Sequence, residues 1–306
     1  MKLSKLTSLH LIAAAGLTLG LAACDSGSSS STGTLSLGVT DAPVDTADKV
    51  VVDFSGVEIK PENGNSITFD FTAKCAIDPT LCQIDLLSLT NGISEQLLDG
   101  EIVPAGKYNW MRLLVNAEPV VKDSYIVIGG NEFELRIPSG AETGLKLNSG
   151  FTVPADGEAS YTVDFDLRKS VHDPQGTTDY ILRPTLRMMD NTKTGTLSGS
   201  VDPGFYAGGT CTGAVYVFDG TVLAPDDEDG AGFGPDPVTT ALVSDDGGVY
   251  NYKVGFLSEG DYLIAFTCDA LADAPEIDND VATVSFPSIG SVTITANDTR
   301  VYNFQP

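Results

Sequence analysis

From Thr34 the chain alternates: Leu35, Leu37 and Val39 are apolar, while Thr34, Ser36 and Gly38 between them are not. A period of two marks a strand with one buried face. After a loop holding Asp41, Pro43, Asp45 and Asp48, the alternation resumes at Val50, Val52 and Phe54, then continues out of step at Val57 and Ile59. The odd interval predicts a β-bulge near Ser55-Gly56, which keeps both sets on one face. Glu62-Asn63-Gly64-Asn65 predicts a hairpin whose returning strand carries Ile67, Phe69 and Phe71.

Further along, Cys75 to Cys82 reads as a small loop, and Leu86 to Leu98 is rich in leucine without alternation, which predicts a short helix. Pro104-Ala105-Gly106 turns the chain into a strand over Tyr108 to Val115. Tyr125 to Ile128 pairs with Phe133 to Ile137 across Gly129-Gly130-Asn131. Tyr161, Val163, Phe165 and Leu167 alternate with Thr162, Asp164 and Asp166, and Tyr180 to Met188 supplies a last strand. After the polar joint Thr192 to Thr194, Gly195 opens a second series, in which Val215 and Val217 share a strand face. Two turns follow, Ser244 to Tyr250 and Leu257 to Tyr262. No segment holds a long helical period. The expected fold is all-β, with two β-sandwich domains of Ig-like or prealbumin-like type, over 33–191 and 195–306.

The start of the chain departs from this pattern. Lys2 and Lys5 precede an apolar run from Leu11 to Leu21, too short to span a bilayer and right for a signal-peptide core. Leu21-Ala22-Ala23-Cys24 then resembles the lipobox of bacterial lipoproteins. That resemblance implies a signal peptide over 1–23, cleavage before Cys24 and acylation of Cys24. The protein would then be lipid-anchored in the bacterial cell envelope, at the outer membrane or the periplasmic face of the inner membrane. Residues 24–32, with five serines after the cysteine, read as a flexible tether. Asp25 resembles the inner-membrane retention signal of enteric lipoproteins, which leaves the leaflet open.

Composition narrows the partners. Hydrophobic residues at 42%, with 32 Gly and 16 Pro, suit a turn-rich β protein with real cores. The formal charge is −25, and it falls to −27 without the leader, which holds two of the 17 basic residues and none of the 42 acidic ones. Such a chain repels phosphate backbones and anionic headgroups, which excludes nucleic acid and electrostatic membrane binding. Cations, neutral glycans and basic protein surfaces remain. Besides Cys24 there are Cys75, Cys82, Cys211 and Cys268, an even set that suits disulfides in an exported chain. Three connectivities exist, and clustering favours Cys75 with Cys82 and Cys211 with Cys268. Their spacings do not suit zinc.

Two family resemblances emerge. Gly38-Val39-Thr40-Asp41-Ala42-Pro43, Pro104-Ala105-Gly106-Lys107-Tyr108 leading to Arg112-Leu113, Ile137-Pro138-Ser139-Gly140 with Gly144-Leu145-Lys146-Leu147, and Val163-Asp164-Phe165-Asp166-Leu167 resemble the domain of unknown function 4382 family over Gly33 to Asp190. The resemblance implies a surface or envelope β domain and brings no catalytic residues. From Gly195 to Phe304, Gly248-Val249-Tyr250 and Gly260-Asp261-Tyr262 resemble the carboxypeptidase regulatory-like, transthyretin-like module, which implies an accessory or glycan-binding-like sandwich. An acidic insert from Ala224 to Pro237 departs from that module's pattern.

Candidate chemistry is sparse. His172, in Ser170-Val171-His172-Asp173, lacks the converging neighbours that a triad needs and reads as a loop residue. Asp164 and Asp166 stand about 7 Å apart by strand rise, a spacing open to a glycosidase pair, but alternation places them on a solvated polar face. Hard oxygen ligands concentrate in the loop Asp226, Asp227, Glu228 and Asp229 and again at Asp278 and Asp280, which points to a calcium site through Asp226, Asp227, Asp229, Asp278 and Asp280 without EF-hand spacing, since Pro225 falls where the first ligand belongs. The expected function is non-catalytic binding or scaffolding in the envelope, with a glycan or envelope protein as partner and the membrane reached through the lipid. The alternative is a glycan hydrolase using the paired carboxylates. Trp110 and the tyrosines, if they line a groove, would favour glycan binding.

Overall fold

The computed structural model describes residues 31–42, 47–117, 121–138, 140–173, 179–228, 234–273 and 284–306. Among the described residues strands dominate, as the alternation predicts, and they assemble into four sheets. In the first half a four-stranded sheet runs in the order Thr185–Asp190, Glu158–Asp166, Thr32–Ala42, Glu95–Pro104. Thr32–Ala42 pairs with Glu158–Asp166 in parallel, from Thr34 opposite Glu158 to Ala42 opposite Asp166. A larger sheet centres on Lys49–Pro61 and Gly106–Asn116, with the Tyr125–Ile128 and Asn131–Arg136 hairpin beside them.

One apolar cluster joins these two sheets. Leu35, Leu37 and Val39 from the smaller sheet meet Val52, Phe54, Val57 and Ile59 from the larger, and Phe54 meets Phe165 edge to face at 6.1 Å between centroids. Register slips between Phe54 and Gly56 where Lys49–Pro61 pairs with Gly106–Asn116, so the bulge at Ser55 is present. In the second half, Ser244–Asp245, Tyr250–Ser258, Thr194–Val201 and Thr299–Val301 form one sheet. Thr239–Leu242, Ala214–Asp219, Gly260–Thr267 and Ser288–Ile294 form the other. Leu197, Val215, Val217, Val254, Ile264, Phe266 and Phe304 fill the space between them.

The same turn device occurs in both halves. Gly106 (φ 139°) and Gly260 (φ 153°) take a backbone conformation closed to other residues, and each starts a strand whose third residue is a tyrosine, Tyr108 or Tyr262. The tyrosine hydroxyls reach back four residues, Tyr108 Oη donating to the Pro104 carbonyl at 2.7 Å and Tyr262 Oη to the Ser258 carbonyl at 2.8 Å. Each bond ties the start of the strand to the end of the preceding one, Glu95–Pro104 or Tyr250–Ser258, which belongs to a different sheet, and so fixes the turn by which the chain crosses between sheets.

Local expectations fail where a polar group or proline intervenes. Cys75 to Cys82 is helical, with Thr72–Ile77 followed by a 3-10 turn at Pro79–Leu81 capped by the Asp78 carboxylate. Phe71 lies ahead of that helix, outside the returning strand Ile67–Asp70. Only Leu86–Leu89 of the leucine-rich stretch is helical, as a 3-10 turn, because Glu95–Pro104 goes on to pair with Thr32–Ala42. The expected strand Tyr180 to Met188 breaks at Arg183-Pro184. Tyr180–Leu182 joins the larger sheet by pairing with Asn131–Arg136, and Thr185–Asp190 joins the smaller one.

Candidate functional site

The strand Glu158–Asp166 is expected to show a solvated polar face, yet Asp164 is buried along with Thr162. That face is covered by the second half. A cavity of about 20 Å³, room for a single water-sized group, is lined by Asp41, Asp164 and Arg187 from one side and Thr239, Thr240 and Lys253 from the other. Arg187 Nη2 donates to Asp164 Oδ2 at 2.7 Å. Burial still pushes the Asp164 carboxyl up from its ordinary value, with Arg187 opposing. Close by, the halves touch backbone to backbone: a Cβ at Gly255 would lie 2.4 Å from Gly92 Cα.

Immediately after Asp166 the chain makes a single helical turn, Leu167–Ser170, whose start the Asp166 carboxylate caps by accepting from Lys169 N at 3.3 Å. Arg168 leaves this turn for the second half. There the strand Ala214–Asp219 is buried on both faces: Val215 and Val217 enter the sandwich core, while Ala214, Tyr216 and Phe218 point the other way, with Ala265, Ala270 and Phe286 packed against them. Arg168 closes this outer cluster. Its guanidinium donates to Tyr216 Oη at 2.9 Å, to the Ala270 carbonyl at 3.2 Å and to the Asp273 carbonyl at 3.1 Å.

Carboxylates complete the cluster. Arg168 Nη1 lies 3.2 Å from Glu228 Oε2 and 3.4 Å from Asp273 Oδ2, and Lys169 Nζ lies 3.3 Å from Glu228 Oε1. Lys169 also reaches Asp166 and Asp236, each at 3.7 Å. Tyr216 Oη donates to Asp273 Oδ2, and Glu228 N donates to the same oxygen at 3.3 Å. Arg168 is 8% exposed, Glu228 1% and Asp273 6%. Ions so far from water persist only when paired and hydrogen-bonded.

The electrostatics follow from that burial. Burial, then Asp166, push the Glu228 carboxyl up to about 8, against Arg168 and Lys169, which pull it down. For Lys169 burial works to lower the ammonium, but Glu228, Asp166 and Asp236 overcome it and raise it. Tyr216 is raised, chiefly by burial, so its hydroxyl stays protonated as the donor to Asp273. The cluster thus joins two halves by opposite charge. From Gly195 onward the chain has 17 acidic side chains and two basic ones, Lys253 and Arg300, and Arg168 and Lys169 come from the first half to balance the buried part of that excess.

Other residues singled out in the sequence lie elsewhere. Asp164 and Asp166 are committed to Arg187 and Lys169 respectively, and His172 stands in the two-residue strand Val171–His172 of the other sheet. Trp110 is half-buried, with the Arg112 guanidinium and the Lys146 ammonium each 4.9 Å from its ring. Cys75 is bonded to Cys82 and Cys211 to Cys268, the latter beside the paired strands Ala214–Asp219 and Gly260–Thr267.

Among the calcium candidates, Asp229, Asp278 and Asp280 lie outside the described residues, as does Cys24. Asp226 Oδ1 accepts from Asp227 N at 3.1 Å, and burial together with Asp226 pushes Asp227 up to about 6. Among the described residues no three His, Cys, Asp or Glu side chains gather to hold a metal. Glu228, from the acidic loop read as a calcium candidate, is committed instead to Arg168 and Lys169, and Arg168, Lys169, Tyr216 and Asp273 carried no motif. The legible signal was the shortage of cations in the second half beside an Arg-Lys pair at the end of an alternating strand.

Paired sheets packed face to face in each half, and a buried ion cluster between the halves, define an all-β protein of sandwich type. Residues 32–184 match the family described as Domain of unknown function (DUF4382), and the chain belongs to that family. Solved structures with similarity include the Bacillus anthracis TIE protein, at 13% identity over 90% of this chain and 34% of that one, with a TM-score of 0.19. The minor pilin GBS52 of Streptococcus agalactiae is 10% identical over 88% of this chain and 93% of that one, TM-score 0.20. The major pilin subunit BcpA of Bacillus cereus is 12% identical over 90% and 99%, TM-score 0.20. This chain spans about a third of the length of the TIE protein. No curated protein matches it.

Proposed function

We infer that this is a lipid-anchored, non-catalytic protein of the bacterial cell envelope, which displays two β-sandwich domains as one rigid body for binding or scaffolding. The observation that carries the reading is Arg168, buried in the second half and bonded there to Tyr216, Ala270 and Asp273. A guanidinium withdrawn from water across a junction holds two sandwiches in one orientation, which suits presentation of a surface at the end of a tether. The hydrolase alternative needs an acid and a base facing one bond. Asp164 and Asp166 are instead each neutralised by a cation, the arrangement of structural ion pairs.

The leader and Leu21-Ala22-Ala23-Cys24 support the anchor, and the Ser/Gly stretch after it supports a flexible stand-off from the membrane. The negative charge supports neutral glycans or basic envelope proteins as partners. Among the described residues no helix is long and apolar enough to cross a membrane. Several acyl chains at about 0.8 kcal/mol per buried methylene make a lasting attachment. Cys24→Ala therefore releases the protein into the soluble fraction of a lysed envelope. Retention of that variant in the membrane pellet, with no acyl group detected by mass, would overturn the reading.

A further inference from the structure

A cleft of about 330 Å³ at the rim of the second sandwich has no part in the junction. It is lined by the rings of Tyr206 and Tyr250 and by Thr212, Gly213, Val243 and Asp245. Tyr206 ends the 3-10 turn Pro203–Tyr206 and Tyr250 starts the strand Tyr250–Ser258. Their rings lie parallel within 2°, with centroids 3.6 Å apart, and both are half-buried. The Cys211–Cys268 disulfide braces the wall beside them.

One atom in this cleft is anomalous. The Tyr206 hydroxyl is buried and has no hydrogen-bond partner among the described residues, a condition that costs free energy and that phenylalanine would avoid while filling the same space. Burial, then Tyr250 and Asp245, raise its pKa, so it remains a donor. Asp245 is exposed and holds the turn by accepting from Gly248 N at 2.7 Å. An aromatic plane edged by a phenol, a threonine hydroxyl and a carboxylate is the chemistry that receives a pyranose, whose C–H face packs on a ring while its hydroxyls find polar partners.

Charge and shape narrow the ligand. A chain of net charge −25, with Asp245 in the cleft itself, repels uronic acids and sulfated sugars. A second cleft of about 380 Å³ shares Val243 with the first, and its walls come from both halves, including Asp48, Leu87, Asn91 and Ser244. We propose that the Tyr206–Tyr250 cleft is a subsite for a neutral glycan whose chain continues over Val243 into the second cleft. This deepens the binding reading above and rests on it. It also gives the rigid junction a purpose, since a chain lying across both halves binds only if their orientation is fixed.

The test uses the mature chain with neutral gluco-, galacto- and N-acetylglucosamine oligosaccharides of increasing length, on an array and then by calorimetry. At least one series binds, and affinity rises with chain length. Tyr250→Leu weakens binding about tenfold or more, as loss of an aromatic platform implies. Should that variant not fold, Thr212→Arg, which fills the cleft mouth, carries the same expectation. Tyr206→Phe raises the melting temperature without ligand and weakens binding, a pair of opposite changes that a packing role alone would not give. Ser244→Arg removes the gain with length and leaves short sugars bound. Trp110→Leu changes nothing. A series that binds wild type, Tyr250→Leu and Thr212→Arg equally would overturn the site and leave glycan binding standing, whereas no binding by any neutral series would overturn both.

Discussion

Removing the Arg168 guanidinium tests the junction most directly. Arg168→Ala takes away three hydrogen bonds, to Tyr216, Ala270 and Asp273, and leaves Glu228 and Asp273 buried with one fewer cation. Breaking a buried pair by deleting one partner costs about 3–5 kcal/mol, because the remaining charge is stranded. Lys169 stays 3.3 Å from Glu228 and tempers the loss, so the lower end, about 3 kcal/mol, is expected. For a chain of this length that is a fall in melting temperature of roughly 6–12 °C. Thermal and urea unfolding of the chain from Ser31 onward measures it, at pH 9, above the Glu228 pKa of about 8, where both carboxylates are charged. The triple variant Arg168→Ala, Glu228→Gln, Asp273→Asn removes the stranded charges together and should recover part of the loss, since residues of one network couple strongly. A single variant within about 1 kcal/mol of wild type, or a triple variant less stable than the single, would refute the account of the junction.

Four further outcomes are expected. Glu228 has a folded pKa of about 8, above its unfolded value, so the folded state binds the extra proton: the stability this group contributes is complete below its unfolded pKa of roughly 4.3 and is lost as pH rises toward 8. Glu228→Gln should therefore gain on wild type in melting scans as pH goes from 5 to 8, and a loss across that range would contradict it. Cys211→Ala with Cys268→Ala removes a bridge spanning 57 residues, worth about 4 kcal/mol in the chain-entropy account, against about 2.5 for Cys75 and Cys82, 7 residues apart; equal shifts in melting temperature would set that account aside. Gly255→Ala puts a methyl group 2.4 Å from Gly92 Cα, backbone against backbone, and should cost about 1–3 kcal/mol in urea unfolding. Calcium, if bound through Asp226, Asp227, Asp229, Asp278 and Asp280, raises the melting temperature by mass action, and identical curves with millimolar calcium and with chelator would remove that site.

Much of the first half was legible. The bulge at Ser55, the hairpin across Gly129-Gly130-Asn131 and the pairing of the four cysteines followed from period, turn residues and spacing. All but the Cys211–Cys268 bridge, which spans 57 residues, are local constraints. Arg183-Pro184 was misread as strand interior because Tyr180, Ile181, Leu182, Leu186 and Met188 are apolar on both sides of it, and only pairing assigns the two pieces to different sheets. The candidate cluster was barely legible, since Arg168 is separated from Tyr216, Glu228 and Asp273 by 48 to 105 residues.

Asp164 and Tyr216 show where the division falls. Alternation determined that Asp164 and Val163 point to opposite faces, and that Val217 and Tyr216 do the same, because a strand's side chains have a fixed period of two. Sequence also determined the acidity and an all-β fold. Which polar face meets water and which meets protein was decided by tertiary structure alone. The face bearing Asp164 is covered by Thr239, Thr240 and Lys253, and the face bearing Tyr216 is sealed by Arg168. Period is a property of the backbone and can be read along the chain, but burial of a polar face depends on a distant surface carrying the complementary charge, which no local pattern encodes.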